Sequence, residues 1–185
     1  MLVTISGLPG AGTSTVARAV AAALGLERLD GGAVFRALAA ERGLSLAAFS
    51  ALAEGDDRID LALDSRLAAR AQRGDVVLES RLAGWIARNG GLAAVTVWIA
   101  CADAERDRRV GRRDDLDAAA AGAANRARES SERSRYRRIY GIDLDDLSIY
   151  DVRLDSSAHP PDVLVERVLV AVDEDSRSAR PRPGG

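Results

Sequence analysis

Lysine is absent from this chain: all 26 basic residues are arginine, a bias that suits a GC-rich genome or a saline habitat. Any cation that faces an anion must therefore be a guanidinium, always charged and shaped for bidentate contact with phosphate. Cysteine is nearly as scarce. Cys101 stands alone, which excludes an internal disulfide and any multi-cysteine metal site, and it reads as a small packing residue. The single histidine, His159, precedes two prolines and reads as a loop residue, so no nucleophile–histidine pair is in view. Aromatic residues make up only 4% of the chain, and no apolar run is long enough to cross a bilayer. Net charge is only −2, which argues against general binding to nucleic acid or membrane surfaces. The chain enters an apolar strand at once, without a basic start or a cleavage pattern, so a cytoplasmic protein is expected.

What remains is ample. A length of 185 residues, 47% of them hydrophobic, predicts one globular domain with a substantial core. The most informative stretch is Gly7-Leu8-Pro9-Gly10-Ala11-Gly12-Thr13-Ser14-Thr15. It follows the apolar run Leu2-Val3-Thr4-Ile5 and opens a helical pattern that continues to Leu24. Glycines between a buried strand and a helix start let successive backbone N–H groups turn inward, where the helix adds partial positive charge. The spacing fits the phosphate-loop motif at every fixed position but one: Thr13 replaces the lysine, and Ser14 takes the place of the magnesium-binding hydroxyl.

Beyond the loop, short apolar runs alternate with helical patterns. Strands are expected over 26–29, 75–79, 94–99 and 149–154, with helices between them and a last helix from Pro160-Pro161-Asp162. From Glu174 to Gly185 the charged, Pro/Gly-rich composition predicts a disordered tail. Such alternation implies a parallel sheet covered on both faces, with ligands at the C-terminal strand ends. Asp30 and Glu79 fall at such ends and could hold metal-bound water; the alternatives are a turn-forming aspartate and a strand-end surface acid. Arg36 and Arg81 lie beside the same ends and could clamp an acceptor phosphate. Arg106, Arg109 and Arg113 recur on one helical face, as do Arg128, Glu132 and Arg135. Rows of this kind are either solvated helix faces or a mobile lid that brings arginines over phosphates.

Taken together these segments resemble the nucleoside monophosphate kinases, specifically the cytidylate kinases of archaeal type. The carriers are Ile5 to Thr15, Gly32-Ala33-Val34-Phe35-Arg36, and Leu78-Glu79-Ser80-Arg81-Leu82-Ala83-Gly84-Trp85. Further carriers are Arg128-Glu129-Ser130-Ser131-Glu132 with Arg135-Tyr136, Ile139-Tyr140-Gly141-Ile142-Asp143, and Leu147-Ser148-Ile149-Tyr150-Asp151. The resemblance implies an α/β P-loop NTPase-like three-layer sandwich: a five-stranded parallel sheet, a helical monophosphate-binding insert and a short lid. It places the kinase domain at 1–173, the insert at about 30–74, the lid at about 107–135 and the tail at 174–185. It implies transfer of the ATP γ-phosphate to CMP or dCMP, with Mg²⁺ and without nucleic acid or membrane partners, by a chain taken as a monomer. On that pattern Gly7, Leu8, Pro9, Gly10, Ala11, Gly12, Thr13, Ser14 and Thr15 bind ATP, and Arg36, Arg81 and Asp30 serve the acceptor. Ser14 and, through water, Glu79 serve the metal; Arg109 and Arg113 are lid arginines, with Arg128 and Arg135 near the transferring phosphoryl group. Two alternatives stay open: a kinase for another small acceptor such as AMP, UMP or shikimate, and an inactive nucleotide-binding module. A GTPase-like switch is disfavoured, because its guanine-reading motif requires lysine.

Overall fold

The computed structural model describes residues 1–178. Its centre is β1 (Leu2–Gly7), buried along its whole length. A continuous apolar run of this kind suits a strand paired on both sides in a parallel sheet. It lies between β3 (Val76–Glu79) and β4 (Val95–Ala100), with Ile5 in register with Glu79 on one side and Val97 on the other. β2 (Glu27–Asp30) and β5 (Val152–Asp155) form the edges, giving the parallel order β2-β3-β1-β4-β5. The chain builds one side of β1 and then the other, so the order reverses beside it and a crevice opens at the strand ends.

Helices cover both faces. On one, α1 (Thr13–Leu24) and α8 (Pro161–Ser178) press Val16, Val20, Leu164 and Val168 onto Val3, Ile5, Val97 and Ile99. On the other, α4 (Arg58–Ala71) and α5 (Ala83–Asn89) bring Leu67, Ala83 and Ala87 against Leu2, Val76 and Leu78. Between β2 and β3 the chain also forms α2 (Gly31–Glu41) and α3 (Leu46–Gly55). With α4 they enclose a separate small core of Leu38, Phe49, Ala53 and Ile59. After β4 come α6 (Asp103–Asp114) and α7 (Ala118–Tyr140). Toward its C-terminal end α7 brings Tyr136 against Leu82, Ile142 and Leu144, and toward its N-terminal end the fully buried Ala121 packs near Gly111 of α6.

Several boundaries differ from the sequence pattern. The first helix starts at Thr13, so its uncapped N-terminus lies inside the glycine loop. The last strand starts at Val152, because Ile149 and Tyr150 are drawn into a buried turn. There Tyr150 packs on Trp98 with ring centroids 5.3 Å apart. Asp151 accepts from the backbone N–H and hydroxyl of Thr96, each at 2.8 Å, which occupies the polar groups around β4. α8 continues to Ser178, through the first residues of the stretch expected to be disordered. An i,i+4 pair of Asp173 with Arg177 and a hydrogen bond from Ser176 Oγ to the Val172 carbonyl support those turns, since charge alone does not break a helix. The rest of the expected tail, 179–185, lies outside the described residues. Among the described residues no helix is long and apolar enough to cross a membrane.

Candidate active site

The glycine loop is shaped as a cradle. Gly10 and Gly12 both take positive φ, at +81° and +89°, where a side chain would be strained. α1 begins at once, with no side-chain cap and no acid in its first turn, so its N-terminal N–H groups remain available to an anion. α6 backs the loop closely: a Cβ on Gly10 would stand 2.6 Å from the Arg106 carbonyl oxygen, and one on Gly12 3.4 Å from Nη1 of Arg109.

The acid at the end of β3 organises the loop's hydroxyls. Buried Glu79 accepts through Oε1 from Thr13 Oγ1 at 2.9 Å and from Ser14 Oγ at 2.6 Å. Its Oε2 accepts from Arg28 at 2.8 Å. Arg28 also reaches Asp30, Glu79's neighbour across the sheet, at 3.3 Å. Thr13 in the lysine position is thus tied inward to the strand ends. Because Ser14 donates its proton to Glu79, its oxygen lone pairs stay free for a cation. Asp30 caps α2, accepting from the Ala33 N–H at 3.0 Å, and so combines its expected turn role with a place at the strand ends.

A metal has suitable partners here. A hydroxyl and a carboxylate are hard oxygen donors, matched to Mg²⁺. Among the described residues no group of three or more His, Cys, Asp or Glu side chains forms a metal cage. Such a site fits an ion that takes most of its ligands from phosphates and water.

Two guanidiniums meet on one buried carboxylate. Arg81 donates from Nε to Glu132 Oε2 at 3.0 Å and from Nη1 to the Gly7 carbonyl at 3.0 Å. Arg128 donates from Nε to the other oxygen of Glu132 at 2.8 Å. Burial by itself would raise the Glu132 carboxyl, but the Arg81 and Arg128 guanidiniums more than offset it and hold the group below its ordinary range. Two cations on one anion leave a positive excess beside the loop.

The other expected arginines are less uniform. Arg109 donates to Ser156 Oγ and to the Ser156 carbonyl, each at 2.9 Å, and Ser156 Oγ in turn donates to the Ala11 carbonyl at 2.8 Å. It is therefore tied to the back of the loop. Arg36 is largely exposed, 3.7 Å from Asp30. Arg113 pairs with its neighbour Asp114 and is also exposed. Arg135 is buried and turned toward α4, with Nε 3.0 Å from Asp60 Oδ2. Sequence reasoning passed over Arg28, Asp60, Ser156 and the structural part of Arg106. The last is buried and donates to the Pro9 carbonyl at 3.1 Å while pairing with Asp103 and Glu129, which locks α6 and α7 to the loop. The i,i+3 spacing of Asp103 and Arg106 was the one local signal for it.

A central parallel strand, a glycine cradle running into a helix, and arginines pooled at the strand ends define the P-loop kinase fold. Solved structures agree on the fold. A gluconokinase from Sinorhizobium meliloti superposes with a TM-score of 0.61 at 16% identity, covering 93% of this chain and 91% of that one. A shikimate kinase from Acinetobacter baumannii gives 0.59 at 15%, covering 94% and 93%. Within that class the sequence is more specific. The profile of the cytidylate kinase-like family matches residues 2–158, and the chain belongs to that family. It is 47% identical to a cytidylate kinase of Halobacterium salinarum, over 94% of this chain and 90% of the relative. It is 45% identical to one of Haloquadratum walsbyi, over 97% and 95%, and 40% identical to one of Methanocaldococcus jannaschii, over 94% and 98%.

Proposed function

We propose that this chain transfers the γ-phosphoryl group of ATP to the phosphate of CMP, and of dCMP, yielding ADP and the pyrimidine diphosphate. The observation that carries this reading is Glu132, which holds Arg81 and Arg128 together at the strand ends while Arg81 also touches Gly7 of the loop. That geometry suits two phosphates meeting end to end. The family membership and the names of the relatives support cytidylate as the acceptor.

In this reading the loop backbone from Gly7 to Gly12 and the start of α1 hold the donor phosphates. Ser14, with Glu79 through water, would hold Mg²⁺, which when bound neutralises charge on the donor's terminal phosphates. Arg81 and Arg36 take the acceptor phosphate beside Asp30. Arg128 stands beside the oxygens of the transferring group, and Arg109 and Arg113 of α6 serve the donor side. An acceptor oxygen forms the new bond to the γ-phosphorus as the bond to the bridging oxygen of ADP breaks. That oxygen is already anionic, so no general base is required. The reaction belongs to the cytoplasm.

The test is direct: phosphorus NMR of the protein with ATP, CMP and Mg²⁺ should show CDP and ADP growing together, and no growth without the divalent ion. Binding of ATP without any CDP would favour the inactive module instead.

A further inference from the structure

The phosphate contacts above use neither Leu82-Ala83-Gly84-Trp85, after Arg81, nor Leu147-Ser148-Ile149-Tyr150, before β5. Folding brings the two stretches together beside the glycine loop. Adjacent residues of β1 hold both ends of the turn that leads from Arg81 into α5. The Gly7 carbonyl accepts from Arg81 at 3.0 Å, and Ser6 Oγ accepts from the Gly84 N–H at 3.2 Å. Tyr150 closes on this turn so tightly that a Cβ on Gly84 would lie 2.4 Å from its ring carbon Cε1.

Trp85 comes next, and it packs against two apolar clusters at once. One holds Leu82, which follows Arg81, and Tyr136, one turn beyond Glu132 on α7. The other holds Trp98, Ile149 and Tyr150, with Leu8 of the glycine loop packed on it. The indole therefore stands between the loop and the elements that carry Arg81 and Glu132. α5 has seven residues and no side-chain cap, so its direction comes from tertiary packing rather than from its own hydrogen bonds. Arg81 lies just before its start and follows that direction. The indole Nε1 is buried without a hydrogen-bond partner among the described residues. What the position uses is the bulk and stiffness of a flat ring.

We propose that Trp85 is a positioning residue for phosphoryl transfer, a wedge that sets the distance between the glycine loop and Arg81. The proposal rests on the reading above, in which the loop holds the donor and Arg81 the acceptor phosphate. The rate depends steeply on how the two phosphates face each other, and a misplacement of about 1 Å costs on the order of 10²-fold. Affinity for either nucleotide alone is far less sensitive, because each keeps its own phosphate contacts. The wedge therefore acts on kcat and spares KM.

Steady-state kinetics with ATP, CMP and Mg²⁺ compare the wild type with Trp85→Leu and Trp85→Phe. Trp85→Leu is expected to lose about tenfold or more in kcat, with the KM for ATP and for CMP each within about threefold. Trp85→Phe keeps a flat ring and should recover most of that loss; no recovery overturns the wedge. Calorimetric titration with ATP counts the binding-competent molecules, and a kcat that falls only in proportion to that count overturns the proposal. An unchanged kcat in Trp85→Leu, or a loss confined to KM, overturns it and leaves the kinase reading intact. A wild type that makes no CDP from CMP overturns both. Should Trp85→Leu not fold, Trp98→Phe leaves Trp85 as the one tryptophan of the chain, and its emission becomes the readout. ATP and CMP, added separately, are each expected to shift or quench that emission, and indifference to either one overturns the proposal.

Discussion

Arg81, just after β3, donates from Nε to Glu132 on α7 at 3.0 Å, across 51 residues of sequence. The same carboxylate holds Arg128, so one buried acid sets the position of two cations. Replacing Glu132 by Gln preserves its shape but removes the charge and one acceptor oxygen. The KM for CMP is expected to rise by about tenfold or more, with ATP affinity nearly unchanged, because the loop keeps its own backbone donors. Parallel kinetics and nucleotide titrations check this; equal loss for both substrates would assign Glu132 to general stability.

Thr13 occupies the position where a phosphate loop ordinarily carries lysine, and it donates inward to Glu79. If Arg81, Arg109 and Arg128 supply the missing charge, Thr13→Lys has little left to add. Turnover is expected to change by less than about tenfold. A rise of several orders of magnitude would mean that the arginines do not compensate.

The loop's closeness to α6 gives a third expectation. A methyl at Gly10 would meet the Arg106 carbonyl at 2.6 Å, at a φ of +81° that alanine disfavours. Gly10→Ala should weaken nucleotide binding by more than about tenfold and lower the melting temperature by several degrees. Calorimetric titration with ATP and a thermal melt test both.

Asp64 provides a pH signature. Burial pushes its carboxyl up to about 6, against the pull of the Tyr140 hydroxyl. Burial likewise raises Asp60, which Arg135 only partly offsets. The folded chain therefore holds the Asp64 proton to a higher pH than the unfolded chain does. Its contribution to stability is full below about pH 4, declines as pH rises toward 6, and stays low above that. Asp64→Asn removes this loss and keeps an acceptor for Tyr140. Relative to the wild type, the variant should gain about 2–3 kcal/mol between pH 4 and pH 7 in urea unfolding.

Local chemistry made the first half of the site legible. A glycine loop between an apolar strand and a helix needs only consecutive residues to be recognised, and Asp30 and Glu79 follow from where strands end. The alternating pattern also announced the parallel sheet. What stayed hidden depends on partners far apart in the chain. Nothing near Glu132 reveals that Arg81 will join it, and nothing near Asp60 points to Arg135. The late start of β5 has the same origin, since Tyr150 is withdrawn by Trp98 rather than by any local signal. The rows of arginine on α6 and α7 were visible as rows, but only folding sorts them. Arg106 is buried as a staple, Arg109 is bound behind the loop, and Arg113 remains exposed.

The most direct measurement is an acceptor panel with ATP and Mg²⁺, in which kcat/KM is determined for CMP, dCMP, UMP, AMP and shikimate. The account predicts CMP ahead of UMP, AMP and shikimate by about tenfold or more, with dCMP accepted. AMP or shikimate performing as well as CMP would contradict it.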